Sequence, residues 1–111
     1  MVTTKVGLAL MAAALACAGV AAAADLPAGQ AKAKEVCQAC HGLDGNSQTP
    51  DYPRIGGQYP DYLAKALRDY KSGARKNAIM AGFAGTLSTQ DIENLAAYYS
   101  SQPPVLVVIR H

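Results

Sequence analysis

The amino-acid sequence predicts an all-α fold. Three observations carry that prediction: segments in which apolar residues recur at helical spacing, Gly- and Pro-rich irregular chain between them, and no alternating stretches that would pair as strands. The chain also has no internal repeat and no low-complexity tract.

In chain order, residues 1–24 read as an address rather than as structure. Lys5 is a short positive region, Val6 to Ala24 is an almost unbroken Ala-rich apolar run, and Ala22-Ala23-Ala24 is a small-residue cleavage site before Asp25. That pattern is a signal peptide. The run approaches the length of a membrane span, but its alanine content and A-x-A ending favour cleavage over an anchor. Cys17 as a lipoprotein cysteine is disfavoured by the Ala14-Leu15-Ala16 that precedes it. Residues 25–111 are then one domain, with a helical core at about 28–102 and a short tail, 103–111. A domain this small has a marginal core and is commonly reinforced by a metal, disulfides or a cofactor.

Pro27 is well placed near a helix start, and from about Ala28 to Ala39 the composition is helical, with Ala33, Val36, Cys37 and Cys40 on one face. Gly29, unusual so near a helix start, suggests close packing against another helix or simple fraying. Gly42 to Gly57 is rich in breakers, including Asp44-Gly45-Asn46-Ser47, Pro50, Pro53 and Gly56-Gly57, and is read as a long functional loop. A second helix is expected over Pro60–Lys71, closed by Gly73, with Leu63, Ala66, Leu67 and Tyr70 as its buried stripe. Gly73 to Thr86, containing Met80, Gly82, Phe83 and Gly85, is read as irregular. The last helix opens with Ser88 and Asp91 in a capping-box pattern and Leu87 placed to staple onto Ile92. Its stripe is Ile92, Leu95, Ala96 and Tyr99, and Pro103-Pro104 stops it after Gln102. Val105–Ile109 is an apolar tail that either packs in extended form or is only partly ordered.

With 10 Lys and Arg against 8 Asp and Glu, and Lys5 leaving with the leader, the charge is close to balanced. This does not suit a nucleic-acid binder, which concentrates basic residues on one face. After cleavage only Cys37 and Cys40 remain, too few for a disulfide scaffold.

Those two cysteines belong to Cys37-Gln38-Ala39-Cys40-His41, and C-x-x-C-H is the attachment sequence of a c-type haem. Two thiols at this spacing can add to the two porphyrin vinyl groups while the adjacent histidine reaches the iron. Zinc would need four ligands, and beyond Cys37, Cys40 and the crowded His41 the mature chain has only His111 to offer. A redox dithiol would sit in a βαβ setting, whereas Gly/Pro-rich chain follows the motif here. Covalent haem c is therefore the cofactor expected, held by Cys37 and Cys40 with His41 as one axial ligand. Met80 is the only thioether outside the leader, and a lone methionine is ordinarily a core gap-filler. Beside a haem motif it becomes the sixth ligand, preferred to the terminal His111. His/Met ligation raises the reduction potential and leaves no open position for a substrate, which favours electron transfer over catalysis.

The sequence resembles the class I cytochromes c of the small bacterial periplasmic kind. The resemblance rests on Cys37-Gln-Ala-Cys40-His41-Gly42, the Asp44-Gly45-Asn46-Ser47 turn, Pro53-Arg-Ile-Gly-Gly57-Gln58, Tyr62-Leu63, Gly73-x-Arg75, Met80 and Leu95-Ala-Ala-Tyr98-Tyr99, and covers most of 28–102. It implies a compact fold of three to four helices wrapped around one haem, with the first and last helices crossing near Gly29 and the Tyr98/Tyr99 pair. It also implies His41 and Met80 as axial ligands and the Pro53 carbonyl as acceptor from the other ring nitrogen of His41. The tail lies outside the shared pattern.

Lys65, Arg68, Lys71, Arg75 and Lys76, against Asp61 and Asp69, form a basic stretch that is either an ordinary solvated face or a patch steering an acidic redox partner. Gln58, Tyr59, Tyr62 and Arg75 are candidates to line the haem crevice or bond the propionates, with plain core packing the alternative for the tyrosines. The function expected is a periplasmic one-electron carrier, not an enzyme, working with redox protein partners as a monomer or in weak complexes. It acts either as a free shuttle in a respiratory chain or as the electron-accepting subunit of a periplasmic dehydrogenase.

Overall fold

The structure, a computed structural model, describes residues 23–105 together with 2–4, 7 and 9. Most of the predicted signal peptide, including Cys17, and the tail from Leu106 to His111 lie outside the described residues. Among the described residues there are five helices and no strands: α1 (Leu26–Val36), α2 (Gln38–His41), α3 (Pro60–Ser72), α4 (Ala78–Ala84) and α5 (Thr89–Ser100).

Helix α1 starts slightly earlier than the sequence suggested because Asp25 caps it, accepting from the Ala28 N–H, with Pro27 in the first turn. The expected run to Ala39 divides at Cys37. The Cys37 N–H still reaches the Ala33 carbonyl, and the ladder resumes when the His41 N–H reaches the Cys37 carbonyl. A one-residue break leaves both cysteines on the same side, so helical periodicity does not register it.

Helix α3 begins at Pro60 with Asp61 in its first turn, carries Lys71 in its last, and is closed by Gly73 in the left-handed region at φ 84°. The stretch 73–86, expected to be irregular, contains α4, so Met80 sits on a helix rather than in a loop. Asn77 accepts from the Met80 N–H at 3.0 Å and caps a seven-residue run in which Ala78, Met80, Ala81 and Ala84 are good helix formers. Gly82 and Gly85 give this stretch the look of irregular chain, and the Asn77 cap is what starts the helix. The capping box of α5 is complete: Ser88 accepts from the Asp91 N–H and the Asp91 carboxylate accepts from the Ser88 N–H. Leu87 and Ile92 on either side of it are both buried in the core.

The core is centred on α5, whose Ile92, Leu95, Ala96, Tyr98 and Tyr99 pack with Ala33 of α1 and with Leu63 and Ala64 of α3. Helices α1 and α5 cross at Gly29, where an added Cβ would lie 2.2 Å from the Asn94 carbonyl oxygen and 2.8 Å from the Tyr98 Cβ. Only glycine lets the two backbones approach this closely. The buried Asn94 side chain ties the crossing together, its Oδ1 accepting from the Asp25 N–H and from Gln90 Nε2, each at 2.8 Å.

Candidate functional site

α1 and α2 deliver Cys37, Cys40 and His41 to one wall of a cavity of about 460 Å³, and α4 delivers Met80 to the same cavity. All four residues singled out in the sequence are thus brought together. The volume falls in the range of small-molecule and cofactor sites, roughly 300–1,000 Å³. Its other walls are mainly apolar, including Leu63 and Leu67 from α3, Leu95 from α5, and Ile79 and Phe83 from α4. Gln58, Tyr62 and Arg75 also line it, but Tyr59 does not: at 78% exposure it neither faces the cavity nor packs in the core. Tyr59 is instead the N-cap residue of α3, with extended backbone that leads into Pro60.

His41 is buried, with 8% exposure, and its Nδ1 lies 2.9 Å from the Pro53 carbonyl oxygen. A carbonyl only accepts, so Nδ1 carries the proton and Nε2 is left as a lone-pair donor, the form that ligates a metal.

The loop 42–57 brings Pro53 to His41 by folding back on itself. Gly42 and Gly45 adopt φ values of 80° and 74°. Asp44 Oδ1 accepts from the Asn46 N–H at 2.9 Å, and the Gly45 carbonyl accepts from the Ile55 N–H at 2.7 Å and the Gly56 N–H at 3.0 Å. The two limbs are so close that a Cβ on Gly45 would lie 2.6 Å from the Gly56 nitrogen. From the other side, the Tyr98 hydroxyl donates to the Leu43 carbonyl at 2.7 Å and the Tyr99 hydroxyl to the Gly42 carbonyl at 3.1 Å. The chain immediately after His41 is therefore hung from α5 by two phenols.

Burial pushes the Cys37 thiol up to about 11, an effect only partly offset by the neighbouring Tyr99 hydroxyl and the Lys32 charge. A redox dithiol works the other way, with an attacking thiol whose pKa is lowered. Burial likewise raises the phenols of Tyr98 and Tyr99. The donor set suits a haem: two thiols one helical turn apart, an imidazole with its outer nitrogen already satisfied, and a thioether, all opening onto one apolar cavity.

The basic stretch on α3 is largely engaged within the chain. Lys65 pairs with Asp69, Arg68 Nη1 pairs with Glu93 Oε1 at 3.0 Å, and Lys71 Nζ donates to the Leu87 carbonyl. The Arg75 guanidinium lies 4.7 Å from the centroid of the Tyr70 ring. An ordinary helix face accounts for most of these charges.

The sequence motifs contain Asn46 and Arg54 without assigning them a role, and they leave out Asn77, Asn94 and the roles of the two tyrosine hydroxyls. Only the Asn77 cap had a local signal, since Asn three residues before Met80 is an N-cap pattern. The others act across long separations that no local pattern encodes.

The family described as cytochrome c oxidase, cbb3-type, subunit III matches residues 24–98. Cytochrome c4 of Pseudomonas aeruginosa is 51% identical over 81 residues, which is 73% of this chain and 40% of that protein. Cytochrome c-554(548) of Halomonas halodenitrificans is 45% identical over 83 residues, 72% of this chain and 99% of that protein. Among solved structures, reduced recombinant cytochrome c4 from Pseudomonas stutzeri is similar with a TM-score of 0.68 at 47% identity, covering 73% of this chain and 47% of that one. The chain thus spans about half or less of the length of the cytochromes c4 that it matches.

Proposed function

The chain belongs to the class I c-type cytochromes, and from that premise we propose that it is an exported, periplasmic monohaem carrier of single electrons between redox proteins. Its cofactor is haem c. Cys37 and Cys40 would hold it through thioethers, with His41 Nε2 and the Met80 sulfur as the axial donors. When bound, the haem supplies a one-electron Fe(II)/Fe(III) couple, tuned upward by a thioether ligand.

The observation that carries this reading is the placement of His41 and Met80 on one cavity, with His41 Nδ1 already committed to the Pro53 carbonyl. That hydrogen bond orients the imidazole and raises its basicity toward a metal. The apolar walls exclude water and limit reorganisation when the charge changes. With His41 and Met80 both given to the haem iron, no open position would remain for a substrate, which favours a carrier. Export would take the chain to the compartment where c-type haem is attached. Among the described residues no helix is long and apolar enough to cross a membrane.

The test is the visible spectrum of the purified protein with a haem stain after denaturation. A sharp reduced α-band and haem that stays with the denatured chain are expected. Absence of either overturns the proposal. A monomer in gel filtration at micromolar concentration supports a free shuttle over a dehydrogenase subunit.

A further inference from the structure

We propose that Pro103–Val105, the three residues that follow the turn after α5, form a latch that positions His41 from the far end of the chain. They lie beyond the family match, which ends at residue 98, and they are clasped by two side chains of the 42–57 loop. Asn46, only 5% exposed, donates through Nδ2 to the Pro103 carbonyl at 3.0 Å and accepts through Oδ1 from the Val105 N–H at 3.1 Å. Arg54 Nη1 donates to the Val105 carbonyl at 3.1 Å. Both backbone groups of Val105 are therefore captured by loop side chains, as they would be by a neighbouring strand. Pro103 and Pro104 have no N–H to satisfy and hold their backbone extended in advance, so little conformational freedom is lost when they dock. Gly57 leaves room for Pro104, because a Cβ there would lie 2.8 Å from that ring.

The latch reaches His41 through one residue. Arg54, whose Nη1 grips Val105, also donates through Nε to the Ser47 carbonyl at 3.2 Å. It is the direct neighbour of Pro53, and its amide bond includes the Pro53 carbonyl that accepts from His41 Nδ1. The orientation of that carbonyl is thus braced by Ser47 on one side and by the C-terminal strap on the other. Without the strap, Asn46 loses two partners and Arg54 loses one, and the Pro53 carbonyl is free to tilt away from the imidazole. A weaker hydrogen bond makes His41 a poorer donor, which stabilises Fe(III) less and raises the reduction potential.

This inference rests on His41 being an axial ligand, and the experiment separates the two. Four haem-loaded proteins are compared: the full chain, a chain ending at Val105, a chain ending at Gln102, and Asn46→Ala. Exchange of the His41 Nδ1 proton is followed by NMR in the reduced state, together with the reduction potential and the thermal midpoint. If His41 is not a ligand, the full chain itself lacks a haem-shifted, protected His41 ring proton. If it is, the chain ending at Val105 should match the full chain. The chain ending at Gln102 and Asn46→Ala should exchange that proton roughly tenfold faster, equivalent to about one lost hydrogen bond, and their potentials should rise. A lower midpoint with unchanged proton exchange and potential would reduce the strap to a stabilising contact and overturn the latch. So would a potential that falls, as water entry alone would cause. Should Asn46→Ala not fold, the two truncations carry the test.

Discussion

Replacing Gly29 by alanine sets two rules against each other. On helix propensity alone the change stabilises, since alanine is favoured over glycine by about 1 kcal/mol in a helix. The geometry at the α1–α5 crossing says the opposite. The new Cβ would lie 2.2 Å from the Asn94 carbonyl oxygen and 2.8 Å from the Tyr98 Cβ, whereas carbon atoms pack best at about 3.5–4.0 Å. The helices would have to separate by roughly 0.7 Å or more, and a gap of that order forfeits a quarter to a half of each contact it opens. Because backbone lies on the far side, no rotamer change can relieve the overlap. The cost therefore falls near the upper end of the ~1–3 kcal/mol range for overpacking. Net of propensity, the expected loss is about 2 kcal/mol, or a fall of about 8–16 °C in thermal midpoint for a domain of this size. Thermal unfolding of the haem-loaded protein measures it. Gly82→Ala is the internal control: Gly82 is a helical glycine whose added Cβ meets nothing within 4 Å, so it should be stabilised by about 0.5–1 kcal/mol. If Gly29→Ala is as stable as Gly82→Ala, the close crossing is wrong.

Met80→Ala should remove the far-red iron–sulfur band of the oxidised protein, lower the potential, and allow added imidazole or cyanide to bind; an unchanged band would refute the axial assignment. Tyr98→Phe leaves the Leu43 carbonyl without its donor and should cost about 1–2 kcal/mol in denaturant unfolding. The Asp91 carboxyl is held below the usual carboxylate range, chiefly by its hydrogen bond from the Ser88 backbone. Its stabilising contribution is therefore present above the unfolded carboxylate pKa and is lost as pH falls through the lower folded value. Asp91→Asn should be slightly less stable than the parent near pH 7, by only a few tenths of a kcal/mol for so exposed a group, with the gap closing in acid. A gap that stays constant with pH would show that the carboxylate charge is not what matters.

What could be read from the sequence, and what could not, divides along a physical line. Helices α3 and α5 were legible because their ends carry strong local signals, Pro60 and Gly73 in one and Ser88 with Asp91 in the other. The haem cofactor was legible too, since C-x-x-C-H is a matter of residue identity, and the single thioether left outside the leader lines the same cavity. Helix α4 was not legible because its two glycines, Gly82 and Gly85, read as breakers, while its start rests on one capping side chain, Asn77. The break at Cys37 was missed because it preserves the face that periodicity measures. The positioning of the site was legible only in part. The Pro53 acceptor followed from family resemblance, but nothing local marks Asn46 as the partner of Pro103 and Val105, or Tyr98 and Tyr99 as donors to Leu43 and Gly42. These bonds join residues more than fifty positions apart, and each side chain would serve equally well in a turn or a core.

That division has a consequence for how the cavity is held. Periodic apolar stripes build its walls from α1, α3, α4 and α5, and such walls tolerate substitution as long as volume is kept. His41 is different, because its ring is fixed by one carbonyl on a loop with little apolar content of its own. That loop keeps its shape through hydrogen bonds to α5 and to the strap that follows it. Substitutions in the walls should therefore change stability first and potential second. Substitutions at Asn46, Arg54 or the strap should do the reverse, and comparing the ratio of the two effects across both groups distinguishes packing from positioning.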